Sequence, residues 1–244
     1  GVMYDRNGII MAGSRPAYSV IMPVERKKNS LSDDELNRLS LLLKVPVEDI
    51  KKKIEDNKLA FGAIYLANDV GIDVATQIEE KKDDFPGIEI EVNPLRVYPL
   101  GAAGAQVLGY VGEAGPDDRD ANGNPYKTAT LIGRSGLERQ YNQFLEGRNG
   151  SKTVEVNASG QPVRYVEGMP PVSGNNVRLT LDAHLQKAAE DAMEAQARTL
   201  AHSGVFATGA SAVAIDPNTG AVLAMASWPS YDPNHFSQGI SAKE

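Results

Sequence analysis

The chain has no cysteine among its 244 residues, which removes disulfides, thiolate zinc sites and thiol nucleophiles and is compatible with an extracytoplasmic bacterial protein. It is also short of positive charge. The 25 Lys and Arg against 32 Asp and Glu leave a net charge of -7 and a pI near 5.1, whereas nucleic-acid partners require clustered Lys and Arg. The one basic run, Arg26-Lys27-Lys28, is followed by Asp33-Asp34-Glu35 and reads as a solvated loop. No apolar run approaches the ~18 residues of a membrane span, so no span or retained signal peptide is expected within this stretch. What is present, 41% hydrophobic and 23% charged residues, describes a globular chain with enough apolar material for one large or two modest domains.

The most apolar run lies close to the end, Gly209 to Asn234. Its halves, Ala210 to Ile215 and Ala221 to Ser227, flank Asp216-Pro217-Asn218-Thr219-Gly220, with Pro to fix φ and Gly to accept a positive one. This predicts a β-hairpin. Near-continuous hydrophobicity predicts strands covered on both faces, and with ten residues after Asn234 the expectation is a chain cut inside a domain.

From the start, Gly1 to Val20 reads as two extended pieces around the turn Asp5-Arg6-Asn7-Gly8. Ser32 with Glu35 forms a capping box before Leu36, Leu39 and Leu43 at helical spacing. Pro46 restarts a helix carrying Val47, Ile50 and Ile54, and a third is predicted over 73–82 with Val74 and Ile78 on one face. Past Phe85-Pro86-Gly87 the period becomes two, Ile88, Ile90 and Val92 alternating with Glu89 and Glu91, as in a strand with one wet face. A turn and a short small-residue helix are expected within 96–112. Ser135 and Glu138 suggest a second capping box, opening a helix with Leu137, Tyr141, Phe144 and Leu145 on one side. Residues 152–157 and 161–166 read as a hairpin around Ala158-Ser159-Gly160, and Pro170 to Gly174 as a linker. Val177, Leu179 and Leu181 alternate as a strand. Asp182 caps an Ala-rich helix to about Leu200, with Leu185, Ala188, Ala189, Ala192 and Met193 expected inward against a sheet. A domain boundary near Ser173 is expected.

The residues offer no catalytic, cofactor-binding or metal site. His184, His202 and His235 have neither i, i+4 pairing nor an HExxH context. Asp118, Asp120, Asn122 and Gly123 open like a calcium loop, but the twelfth position is Ala129 where a bidentate Glu belongs. Ser173-Gly174-Asn175 fits a Ser-x-Asn triplet with no upstream Ser-x-x-Lys. Ser241-Ala242-Lys243 is one residue short of the helical turn that sets a Lys amine against a Ser hydroxyl, and Lys-Thr-Gly is absent.

Several stretches together resemble the class B penicillin-binding proteins, specifically the elongation type called penicillin-binding protein 2. They are 4–12 (YDRNGIIMA), 85–91 (FPGIEIE), 96–112 (RVYPLG with AQVLGYVG), 133–150 (GRSGLERQYNQFLEGRNG), 154–160 (VEVNASG), 177–193 (VRLTLDAHLQKAAEDAM) and the hairpin through SYDPNHF and GIS. They occur in the family's order. Gln106 stands where many relatives carry His.

The resemblance implies an α+β fold: an elongated β-rich pedestal, or dimerisation domain, over 1–173 with a helical head at about 30–84. Over 174–244 it implies the first strands and helix of a penicillin-binding transpeptidase α/β sandwich. It further implies a parent D,D-transpeptidase that cross-links peptidoglycan stem peptides through an acyl-enzyme on the Ser of Ser-x-x-Lys and is acylated by β-lactams. A transmembrane anchor would precede the YDRNG region, placing the protein at the outer face of the bacterial cytoplasmic membrane. Partners by resemblance are a SEDS-class glycan polymerase, other elongation-complex membrane proteins and a second copy in a homodimer. The present stretch, lacking the nucleophile, is expected to be non-catalytic. The alternative is a non-catalytic envelope scaffold built on the same pedestal, and Ser-x-x-Lys, Ser-x-Asn and Lys-Thr-Gly further along the parent would separate the two.

Overall fold

The computed structural model describes residues 1–23, 31–56, 63–115, 117–120, 122–126, 130–148, 150–156 and 162–237. The Arg26-Lys27-Lys28 run, the turn at 158–160, Ala129 and the GIS and Ser241-Ala242-Lys243 stretch lie outside them. The fold is mixed α+β, as expected at that level, and divides into two compact units, Gly1–Ser14 with Arg96–Glu244, and Arg15–Leu95. Strands β2 (Ile10–Pro23) and β4 (Glu89–Val97) run through the division.

In the Arg15–Leu95 unit, α1 (Asp33–Leu43) starts where the capping box predicts. Ser32 Oγ accepts from the Glu35 amide at 3.3 Å and the Ser32 amide donates to Glu35 Oε2 at 2.6 Å. Helices α2 (Val47–Asp56) and α3 (Ile72–Glu80) come next, within a residue or two of expectation. Between them lies β3 (Ala63–Val70), which the sequence pattern does not predict; it pairs antiparallel with β2, Ile21 opposite Tyr65. Its alternating Ile64 and Leu66 join Val20, Met22, Leu36, Leu39, Ile50, Ile78, Phe85 and Ile88 in one buried cluster. On β4, Ile88 just ahead of the strand and Ile90 reach that cluster, but Val92 is 57% exposed although it continues the same alternation. The strand outruns the core it was expected to cover.

In the other unit, β1 (Met3–Tyr4) pairs antiparallel with the start of β2 and parallel with β9 (Val177–Arg178). Helix α4 (Ala105–Leu108) leads to the hairpin of β5 (Val111–Glu113) and β6 (Leu131–Gly133). The predicted Ser135 helix is two short pieces, α5 (Gly136–Gln140) and α6 (Asn142–Leu145). Its capping box does not form: Ser135 makes no side-chain cap bond, and the Glu138 carboxylate that would close the other half of the box is turned inward to Arg96. Leu145 is buried, but Tyr141 and Phe144, expected beside it, are exposed. Strands β7 (Ser151–Val156) and β8 (Pro162–Met169) pair antiparallel where a hairpin was expected.

Helix α7 (Ala183–His202) is capped by Asp182, whose Oδ1 accepts from the amides of His184 and Leu185. Its inward face differs from the expected one. Of the residues expected inward, Leu185, Ala188 and Ala192 are exposed and Ala189 and Met193 half-buried, while Ala183, Gln186 and Ala197 are buried. A polar side chain sits at the centre because its amide answers the main chain of the hairpin. That hairpin, β10 (Ala210–Ile215) and β11 (Val222–Trp228), has the expected strands with Val213 opposite Met225. The two-face coverage is not found: Ala224 and Ala226 are buried, whereas Val213, Ile215 and Met225 are exposed. A short α8 (Asn234–Ser237) ends the described chain.

Candidate functional site

The stretches that stood out in the sequence are distant along the chain, yet they are wired to one another in the larger unit. In the first turn, Asp5 is fully buried and its carboxylate accepts from the amides of Asn7 (2.7 Å), Ile9 (2.8 Å) and Ala183 (3.1 Å). Burial alone would raise its pKa. The amides of Ala183, Ile9 and Asn7 outweigh burial and hold it below the ordinary carboxylate value. Asn7 Nδ2 reaches Asp182 Oδ2 at 3.0 Å, and the Arg6 amide donates to Leu181 O at 2.8 Å. The YDRNG turn therefore clasps the N-terminal end of α7. Asp182, fixed by the Leu185 amide and then by Asn7, is likewise shifted down.

A second polar centre is buried in the same unit. Arg96 Nε donates to Glu138 Oε1 at 2.7 Å, Arg96 Nη1 to Gly1 O at 2.6 Å, and the Tyr98 hydroxyl to the same Glu138 oxygen at 3.1 Å. The Arg96 and Glu138 side chains are 8% and 4% exposed, so each ion depends on the other. Burial, then the Glu138 charge, pushes the Tyr98 pKa far up and keeps that hydroxyl protonated as a donor. Next to this centre two backbones touch. Gly109 and Gly136 both have positive φ, 77° and 56°, and a Cβ on either would lie 2.0 Å from Ser135 O or 2.5 Å from Val107 O. This contact accounts for glycine in both LGY and GRSG.

Two side-chain amides then fasten the hairpin and the segment C-terminal to it. Gln186 pairs with both backbone groups of Met225, accepting from its amide at 2.8 Å and donating to its carbonyl at 3.0 Å. It also donates to Glu190 Oε1 at 2.7 Å, which accepts the Gly104 amide at 2.8 Å. Asn234 pairs in the same way with Tyr98, accepting from its amide at 2.8 Å and donating to its carbonyl at 3.0 Å. Around it, Ser230 Oγ donates to Ala102 O (3.0 Å), Tyr231 OH to Ala105 O (3.1 Å) and Gln106 Nε2 to Pro229 O (3.1 Å). Tyr110 and Phe236 stack with centroids 4.1 Å apart. Among the described residues the site is a joint that orients main chain.

The side chains set aside in the sequence take structural places. His184 and His235 are exposed, and His202 Nδ1 lies 2.7 Å from Arg198 O. Asp118 accepts the Gly115 amide and an Arg134 ion pair, while Asp120 accepts the amides of Asn122 and Asn124, so both acids close their own turns. Among the described residues no three His, Asp or Glu side chains gather as for a metal. The roles of Gln186 and Asn234 in the joint are not visible in the sequence. A lone Gln on an Ala-rich helix and an Asn after Pro carry no periodic signal, and the bidentate backbone pairing emerges only in the fold.

Comparison with known proteins places these stretches in a family. The model of the Penicillin-binding Protein dimerisation domain matches residues 1–179. The chain belongs to the penicillin-binding proteins. The Penicillin binding protein transpeptidase domain matches residues 210–243. This penicillin-binding protein chain is similar to peptidoglycan D,D-transpeptidase MrdA of Escherichia coli K12, 33% identical over 251 residues, and to MrdA of Acinetobacter baumannii, 31% over 248. All of the chain is covered in both, against 37% and 35% of the relatives' length. Among solved structures, the complex between penicillin-binding protein PBP2 and MreC from Helicobacter pylori matches with a TM-score of 0.76 and 26% identity. That match covers the whole chain and 43% of the solved one. In this penicillin-binding protein the pairs Tyr98–Asn234 and Gly104–Glu190–Gln186–Met225 thus link dimerisation-matched residues to transpeptidase-matched ones.

Proposed function

We propose that this chain is the supporting part of an elongation-type peptidoglycan D,D-transpeptidase. Residues 1–173 form the pedestal with its head at about 30–84, and 174–244 begin the transpeptidase domain. In the parent, one stem peptide would acylate the Ser of a Ser-x-x-Lys outside this stretch and the acyl group would pass to the amine of a second, with β-lactams acylating the same Ser irreversibly. The stretch itself supplies no catalytic group; its part is to hold the transpeptidase start in a fixed setting. The observation that carries this reading is the joint, in which backbone matched by one domain is hydrogen-bonded through Gln186, Glu190 and Asn234 to the hairpin and tail matched by the other. The solved relative in complex with MreC supports a partner from the elongation complex for this chain, with a SEDS-class polymerase proposed as a second and a homodimer as a third. Among the described residues no helix is long and apolar enough to cross a membrane, so an anchor to the cytoplasmic membrane's outer face would belong to the longer parent.

A fluorescent penicillin tests the assignment. The full-length parent is expected to carry label that survives denaturation, and residues 1–244 are expected to carry none. Labelling of the shorter chain would overturn the placement of the nucleophile, and an unlabelled but folded parent would favour the scaffold reading.

A further inference from the structure

Asn234 differs from its neighbours in the 229–237 segment. Ser230 and Tyr231 each make one bond to a main-chain oxygen across from them, and Gln106, on the other side, bonds Pro229 O and accepts from Ser230 Oγ at 3.3 Å, so these bonds are spread over several residues. Asn234 alone makes two antiparallel bonds to one residue, Tyr98, occupying its amide and its carbonyl as a neighbouring strand would. Its own orientation is fixed from behind, because Asp232 Oδ1 accepts both the Asn234 amide (2.9 Å) and its Nδ2 (2.8 Å). Tyr98 is fixed in turn: it is 2% exposed, with its hydroxyl on the buried Glu138 that pairs with Arg96. A planar amide bonded at both ends sets distance, direction and register together. A slip of one residue would leave both Tyr98 groups unpaired.

We propose that Asn234 is a positioning residue for the acyl transfer of the parent enzyme. The pairing with Tyr98 passes the orientation of the Arg96–Glu138–Tyr98 centre to the chain that leads on into the transpeptidase domain, and so to the nucleophile. This rests on the transpeptidase reading above. Misplacing a reacting group by about 1 Å is enough to slow a reaction on the order of 100-fold, so the effect should appear in reaction rate beyond any loss of stability.

The test uses the full-length parent. Fluorescent-penicillin acylation is resolved into affinity and maximal acylation rate for wild type, Asn234→Ala and Asn234→Asp, with Leu108→Ala as a destabilised control. Leu108 is 1% exposed in the core that also holds Tyr98, so its truncation lowers Tm while keeping both hydrogen-bonding partners, Tyr98 and Asn234, in the chain. Both Asn234 variants are expected to lose about 10-fold or more in maximal acylation rate at temperatures where they remain folded. Asn234→Asp, which keeps the acceptor but sets a carboxylate oxygen against Tyr98 O and Asp232 Oδ1 in place of the donor, should lose at least as much as Asn234→Ala. The Leu108→Ala rate should stay within about 2-fold of wild type under the same conditions. The proposal is overturned if either folded Asn234 variant acylates at the wild-type rate, or if rate losses across all three variants simply track their Tm. Absence of acylation in the wild type would instead defeat the transpeptidase reading.

Discussion

At the scale of single residues, the strongest constraints are polar groups taken out of water. Asp5 is fully buried with three amides on its carboxylate, and those bonds favour the charged form enough to bring its pKa below the ordinary carboxylate value. The sign is direct. With the folded pKa below the unfolded one, the contribution of Asp5 to stability is complete above about pH 4 and is lost as pH falls through the folded value. A Tm series from pH 7 to pH 2 should fall more steeply for wild type than for Asp5→Asn, the two converging at the acid end. Asp5→Ala should cost roughly 1–3 kcal/mol at pH 7 through the stranded donors. The YDRNG turn was legible from its residue types. That Asp5 reaches across to Ala183 was not, because the two lie 178 positions apart and nothing local encodes that approach.

At the scale of elements, the same local signal succeeded once and failed once. Ser32 and Glu35 close a capping box at an exposed helix start, where no buried charge competes for the glutamate. Ser135 and Glu138 have the same spacing, but a buried guanidinium competes for the glutamate and wins, as expected for a charge that cannot go unpaired in the interior. The helix pieces around Ser135 depend instead on close backbone approach. Gly136→Ala should be destabilising by about 2 kcal/mol or more, from a positive φ and a contact of 2.5 Å to Val107 O. Gly8→Ala has a positive φ but nothing within 4 Å of the added Cβ, and should cost about 1–2 kcal/mol. Denaturant midpoints of the two variants would order them, and an equal loss would refute the contact as the cause. On α7, the alanine stripe implied close packing, which occurs against β11. The sequence pattern does not give the rotation of the helix, because Gln186, the residue that fixes it, has no hydrophobic signature.

At the scale of the molecule, the chain divides into two compact units, each with its own apolar core. The smaller unit is held by an apolar cluster to which β2, β3 and three helices contribute, and its helices were readable because leucine and isoleucine recur at helical spacing. Leu39, fully buried there, should cost about 2–5 kcal/mol on truncation to Ala. Hydrogen exchange should show the loss across amides of α1, α2 and β3; protection unchanged in β3 would mean that the strand is not cooperative with the helices. The larger unit carries the joint.

The sequence by itself determined the elements with a local cause: turns from Asn-Gly and Pro-Asn-Thr-Gly, capped helices at Ser32 and Asp182, and the β10–β11 strands. It also determined the family, through short stretches in a fixed order. Only the tertiary structure decided what those stretches do to one another: Asp5 with Ala183, Arg96 with Glu138, Gln186 with Met225 and Asn234 with Tyr98. The physical reason is that hydrophobic periodicity and capping act within a turn or two of chain. A hydrogen bond between residues 39 to 178 positions apart depends on where folding brings the main chain, and local residue types do not specify that.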